Sequence, residues 1–111
     1  GWQTILQAKT TGPAGLRVVH RDRGRGPSVS VGNPVLDSVL HISADDAAGV
    51  RDLLTDAPFT AELLEVVHGL PDAMVTDKAV IITVEGRLWD DLGGMLDRAA
   101  ALAREIAARA R

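Results

Sequence analysis

The chain has 111 residues, room for one hydrophobic core and not for two. At 46% hydrophobic and 24% charged it has the composition of a globular domain rather than a disordered segment, and the lack of any cysteine excludes disulfides, thiolate catalysis and cysteine-ligated metals. The net charge of −3 is divided: residues 1–27 carry five Lys/Arg against the single acid Asp22, and residues 28–111 carry seven against fourteen acids, which gives no coherent positive face for a nucleic acid.

The first stretch, "WQTILQAK", alternates. Trp2, Thr4, Leu6 and Ala8 fall on one face and Gln3, Ile5, Gln7 and Lys9 on the other, the pattern of a half-buried strand. "TTGPAG" is a turn cluster, and "LRVVHRD" (16–22) reads as a second strand forming an antiparallel hairpin with the first. "RDRGRGPS" (21–28) is a basic, glycine-rich loop, and "VSV" (29–31) reads as a short third strand. Gly32-Asn33-Pro34 turns the chain, with Asp37 placed to accept hydrogen bonds from backbone amides that follow, and "VLHIS" (39–43) is a fourth strand.

A first helix starts in "SADDAAGVRDLLTD", capped by Ser43 with Asp46 three residues on, or by Asp45. "APFTAELLEVVHGL" is a second, with Pro58 in its first turn and Gly69 as a left-handed stop. "DAMVTDKAVIITVEG" is a hairpin about Asp77–Lys78, and "AVIITV" (79–84), apolar on both faces, belongs inside a sheet. From Trp89 or Asp90 to the end runs the longest helix, with Leu92, Met95, Leu96, Ala99, Leu102, Ala103 and Ile106 as its apolar stripe. Asp90 and Asp91 suit its positive end, and Arg104, Arg109 and Arg111 its negative end.

The order β-β-β-β-α-α-β-β-α predicts an α+β, two-layer domain. Its sheet is mostly antiparallel, of five to six strands, with the long C-terminal helix across one face.

Arg21, Arg23 and Arg25, separated by glycines, are the candidate anion-binding group, since glycines let amides approach an anion and guanidinium groups grip oxygens in a fork. The loop matches neither the phosphate-loop nor the dinucleotide pattern. His20, His41 and His68 are not spaced as metal ligands, and no nucleophile, base and orienting group can be named together, so no metal, cofactor or catalytic residue is assigned. Scarce aromatics (Trp2, Phe59 and Trp89) leave little for base stacking, and no run approaches the length of a membrane span. Trp89 is placed to staple the entry of the last helix, and Trp2 to cover an end of the sheet.

Gly32, Asn33, Pro34, Leu36 and Asp37, then Asp46, Leu53 and Leu54 with "LLEVV" after them, resemble a bacterial domain of unknown function. Its members carry a Gly-Asp/Asn-Pro-x-Phe/Leu-Asp turn leading to a strand, then a Leu-Leu helix, a short helix, a hairpin and a long C-terminal helix. Asn33 and Leu36 stand where aspartate and an aromatic are commoner. The resemblance implies membrane-spanning segments outside the domain and carries no activity.

The expectation is therefore a non-catalytic interaction or regulatory module. Its partner is another protein or the rest of its own chain, with no nucleic acid and no membrane insertion by this segment. The alternative is a small-molecule or anion-binding domain using the Arg21–Arg25 loop, and an enzyme with an unrecognised site is the third reading. A start at Gly1, directly in a strand, reads as a domain excised from a longer protein. A cytoplasmic setting is favoured.

Overall fold

In the computed structural model, which describes residues 3–70, 72–85 and 92–109, the first alternating stretch is strand β1, Gln3–Lys9. Its even residues are half-buried and its odd ones exposed. Expectations placed on Trp2, Trp89, Asp90, Asp91 and Arg111 lie outside the described residues.

The second strand, β2, is Arg17–His20, but it does not pair with β1. With β3 (Leu40–Ser43), β4 (Met74–Thr76) and β5 (Ala79–Glu85), the sheet runs β1-β5-β4-β2-β3, every neighbouring pair antiparallel. Length explains the correction. β1 and β5 are seven residues each and pair throughout, from Gln3 opposite Glu85 to Lys9 opposite Ala79, whereas β2 has four residues to offer.

The loop expected to close a β1–β2 hairpin instead spans the tip of the β4–β5 hairpin. Thr10 donates to the Lys78 carbonyl (2.8 Å), Gly12 to the Asp77 carbonyl (2.9 Å) and the Gly15 amide to the Asp77 carboxylate (3.1 Å). Three strand spacings, about 14 Å, separate β1 from β2, well within reach of so long a loop.

"VSV" forms no strand. Val29 donates to the Ile42 carbonyl (2.7 Å) and Ile42 to the Ser28 hydroxyl (3.2 Å), but the Val31 amide turns to the Asp37 carboxylate (3.2 Å) and no ladder develops. The Gly-Asn-Pro turn proves to be a helix start, leading into α1, Pro34–Val39. The Asn33 side chain accepts from the amides of Val35 (3.1 Å) and Leu36 (3.4 Å), and Pro34 sits in the first turn, where its missing amide costs nothing. The observed order is thus β-β-α-β-α-α-β-β-α.

Helix α2, Ala47–Leu53, is capped by Asp46, which accepts from the Gly49 amide (2.9 Å), and neither by Ser43, the last residue of β3, nor by Asp45. Helix α3, Ala57–Gly69, begins with Pro58 in its first turn. Gly69 is not a left-handed stop, for the chain leaves the helix through an extended Leu70 (φ −104°, ψ 147°). Helix α4, Leu92–Arg109, buries Met95, Ala99, Leu102, Ala103 and Ile106, while Leu96, expected in that stripe, is 41% exposed.

Helices α3 and α4 lie on one face of the sheet, α4 over β1 and β5 and α3 over β2 and β3. Val18, Ile42, Val75, Val80, Ile82 and Val84 meet Phe59, Leu63, Leu102 and Ile106 in a single core. Each such side chain, fully buried, contributes about 1.5–3 kcal/mol. As its two-sided apolar character predicts, β5 is an interior strand. No described helix is long and apolar enough to cross a membrane.

Candidate functional site: the open face of the sheet

Because side chains alternate along a strand, burying the even residues of β1 beneath α4 turns the odd ones to the opposite face. Val18, Val75 and Val80 likewise point to the helices, so Arg17 and Val19 of β2 and Met74 and Thr76 of β4 share the outer face with Ile81 and Thr83 of β5.

One end of that face is closed by the chain itself. After β2 a single 3-10 turn, Arg21–Arg23, leads the loop back over β3. Gly24 lies so close to the imidazole of His41 that a Cβ on it would fall 1.9 Å from the ring's Cγ. The His41 Nε2 is 3.0 Å from the Gly26 carbonyl, and the residue is 6% exposed. Residues 28 and 29 then run along the outer edge of β3 through their bonds to Ile42. Further anchors are Ser30, whose hydroxyl donates to Asp37 (3.1 Å), and Arg51, whose Nε donates to the Ser30 carbonyl (3.2 Å).

This changes the reading of the basic loop. Arg21 donates to the Asp37 carbonyl (2.5 Å), Arg23 forms an ion pair with Asp72, and Arg25 is exposed. Two of the three guanidinium groups are engaged by separate elements, and Gly24 serves close packing on His41. Asp37 does accept backbone hydrogen bonding, but from Val31 before it rather than from amides after it. Gly32 holds φ 78°, a left-handed value that favours glycine, and delivers Asn33 to its capping position.

Beyond His41 no described helix covers the face. A depression of about 430 Å³ lies over β2, β4, β5 and β1. Its apolar surface is the exposed Ile5 with the half-buried Met74, over the buried Val19 and Ala73, and Gln3, Arg17, Arg23, Asp72 and Thr83 form its polar rim. Ile5 is 60% exposed, the most exposed large apolar side chain among the described residues. Lys9, Arg17 and Arg23, all from the basic first 27 residues, bring three cations to this face, against Asp72, which pairs with Arg23, and Glu85, which lies opposite Gln3.

A second cleft, of about 440 Å³, opens on the helical side among Pro13, Asp46, Gly49, Asp52, Asp56 and Arg109. Three of its four charged groups already have structural work. Asp46 caps α2, while Arg109 bonds Asp56 and Glu105 and lies 5.3 Å over the Phe59 ring, tying the end of α4 to the start of α3. The hydrogen bond from Arg109 holds the Asp56 carboxyl below the usual carboxylate range, and Asp56 raises Arg109 in return.

The histidines are less scattered than their spacing suggests. His20 and His68 stack with ring centroids 5.5 Å apart, joining the end of β2 to the last turn of α3. Among the described residues no group of three or more metal-ligating side chains comes together.

Sequence reasoning passed over Arg17, Val19 and Met74. The available signal was the two-sided apolar character of "AVIITV" beside an exposed Ile5, which together mark a sheet whose second face is not purely polar. No family model, curated protein or solved structure matches the chain.

Proposed function

We propose that this domain is a non-catalytic interaction module whose working surface is the open face of the sheet. One observation carries the reading: a depression with the exposed Ile5 and the half-buried Met74 on its floor and Arg17 on its rim, on a face that no described helix covers. Contiguous apolar surface rimmed by polar groups is the mark of a docking site. Arg17 on the rim selects the occupant, an extended polypeptide segment that alternates apolar and acidic side chains, supplied by a partner protein or by the rest of the same protein. Apolar side chains would enter between Ile5 and Met74, and a carboxylate would take the exposed guanidinium of Arg17 in a two-pronged hydrogen bond.

The test is selection from a displayed library of random peptides, with Arg17→Glu and Arg104→Glu as paired variants. Both side chains are exposed, so neither change is expected to unfold the domain. The expected outcome is enrichment of apolar–acidic sequences that bind the wild type and Arg104→Glu but not Arg17→Glu. Enrichment without acidic residues, or binding indifferent to Arg17→Glu, overturns the assignment.

A further inference from the structure

The two edges of the sheet are treated differently. The chain seals the β3 edge with residues 28 and 29, while nothing among the described residues is bonded along β1 on its outer side. The direction of the free hydrogen-bonding groups follows from the register. Thr10 donates to Lys78, its partner one step beyond the Lys9–Ala79 pair, so Ala8, Leu6 and Thr4 bond toward β5 and the backbone groups of Gln3, Ile5, Gln7 and Lys9 point away. Four residues thus present amides and carbonyls outward, with the exposed Ile5 in their midst.

Above this edge lies one flank of α4. Arg98, Glu105 and Arg109 mark the side of the helix that faces α3, through the cleft with Glu62 and the Asp56 pair. The opposite flank, at helical spacing, carries Leu92, Leu96, Ala100, Ala103 and Ala107. The Thr10 hydroxyl bonds the Ala103 carbonyl (2.6 Å), which places this flank on the side of the residue following β1. These side chains are uncharged, with Arg104 at the outer border of the flank, and Leu96 on it is 41% exposed.

We infer that the occupant of this edge is a second copy of the same chain, added antiparallel through β1 about a two-fold axis at Leu6. The sequence is self-complementary in that register. Gln3 faces the partner's Lys9, Ile5 faces the partner's Gln7, and Leu6 meets its own symmetry mate, with no like charges directly opposed. Helix spacing then matches. Since α4 lies over β1 and β5, the two α4 helices come to stand two strand spacings apart, about 9.6 Å, within the 8–10 Å range for packed helices. Small alanines permit that approach, and Leu96 is covered by it.

A bare peptide strand would satisfy the backbone of β1 and leave the helix flank exposed, so the second copy accounts for both observations. A seven-residue edge is about 24 Å long. With the helix above it about 15 Å tall, it buries several hundred Å² per protomer, at the low end of specific interfaces, so a reversible dimer is expected. This inference is independent of the proposed docking role, which uses the sheet face and not its edge.

Sedimentation velocity across about 1 to 500 μM resolves such an equilibrium. Wild-type chain is expected to pass from monomer to dimer. Gln7→Pro removes an outward amide used by no intramolecular bond, and Leu96→Glu places a charge on the exposed helix flank. Each is expected to weaken association by about tenfold or more while leaving the melting temperature of the dilute monomer unchanged. Because the chain lacks cysteine, Leu6→Cys supplies a register test: oxidation gives a covalent dimer, and does not when Gln7→Pro is added. A wild type that stays monomeric throughout, or a dimer that survives both Gln7→Pro and Leu96→Glu, overturns the inference. Arg17→Glu leaves dimerisation intact, which separates failure here from failure of the docking assignment.

Discussion

Replacing Gly24 with alanine tests whether the basic loop is a packed cover. Its backbone (φ −75°, ψ 147°) is ordinary extended geometry that alanine adopts freely, so any cost is steric. The new methyl would lie 1.9 Å from Cγ, 2.2 Å from Cβ and 2.4 Å from Cδ2 of His41. The imidazole cannot retreat, being 6% exposed on a sheet strand with Nε2 held 3.0 Å from the Gly26 carbonyl. Relief therefore requires lifting the loop. Overpacking of this kind costs about 1–3 kcal/mol, offset by about 0.4–1 kcal/mol from stiffening the unfolded chain. The net is a destabilisation of about 1–2 kcal/mol, or roughly 4–15 °C in melting temperature, measured by urea titration and calorimetry. Gly26→Ala is the contrast. It has open space but φ 77°, so its penalty of about 1–2 kcal/mol is a backbone one. Truncating His41 to alanine should relieve the Gly24 variant and not the Gly26 variant. A Gly24→Ala protein as stable as wild type, or a penalty unchanged in the His41→Ala background, refutes the packing argument.

Asp37→Ala removes the acceptor for the Val31 amide and the Ser30 hydroxyl. It should cost about 1 kcal/mol in chemical denaturation and speed hydrogen exchange at Val31; unchanged stability counts against the role assigned to Asp37. Asp56→Asn should uncouple stability from acid pH. The Asp56 carboxyl titrates below its ordinary value because Arg109 bonds it, so its contribution is complete above the unfolded pKa of about 3.9 and is lost as pH falls through the lower folded value. The stability gap between wild type and Asp56→Asn, followed by urea titration, should therefore hold from pH 7 to about 4 and close on further acidification. A gap that does not narrow at all as pH falls below about 4 contradicts the pairing.

Periodicity made faces legible and left partners illegible. The alternation of β1, the helical stripe of α4 and the hairpin of β4 and β5 were readable because each is a local pattern imposed by burial on one side. The pairing of β1 with β5 was not, because seventy residues separate Lys9 from Ala79 and nothing in the alternation says which strand lies alongside. Local rules favoured the nearest strand, β2, and matched length decided otherwise. Gly32-Asn33-Pro34 shows a different ambiguity: asparagine followed by proline opens a turn or a short helix equally well, and the burial of Leu36 selects the helix. Arg21, Arg23 and Arg25 stand out as a candidate anion site because charge and glycine are read together, but the packing of the loop does not show in that pattern. Gly24 serves His41, a residue seventeen positions away, and no local pattern carries that information.

The topology also explains why the β1 edge, unsealed among the described residues, matters. "AVIITV" of β5 is β-branched, apolar on both faces and uncharged, the composition of a segment that pairs indiscriminately when exposed. β4 covers one side of it, and β1 covers the other. Because β1 reaches β5 across 70 residues or more, closing that contact carries a loop-entropy cost that local pairings do not. The only charged side chain along its length is Lys9, at the far end, a weak guard against further pairing. Association through β1 would add hydrogen bonds on its free side and bury Leu96 of the helix that holds it down. The same interface that joins two copies would thus keep each copy's β5 covered, coupling assembly to protection of the most aggregation-prone strand in the sheet.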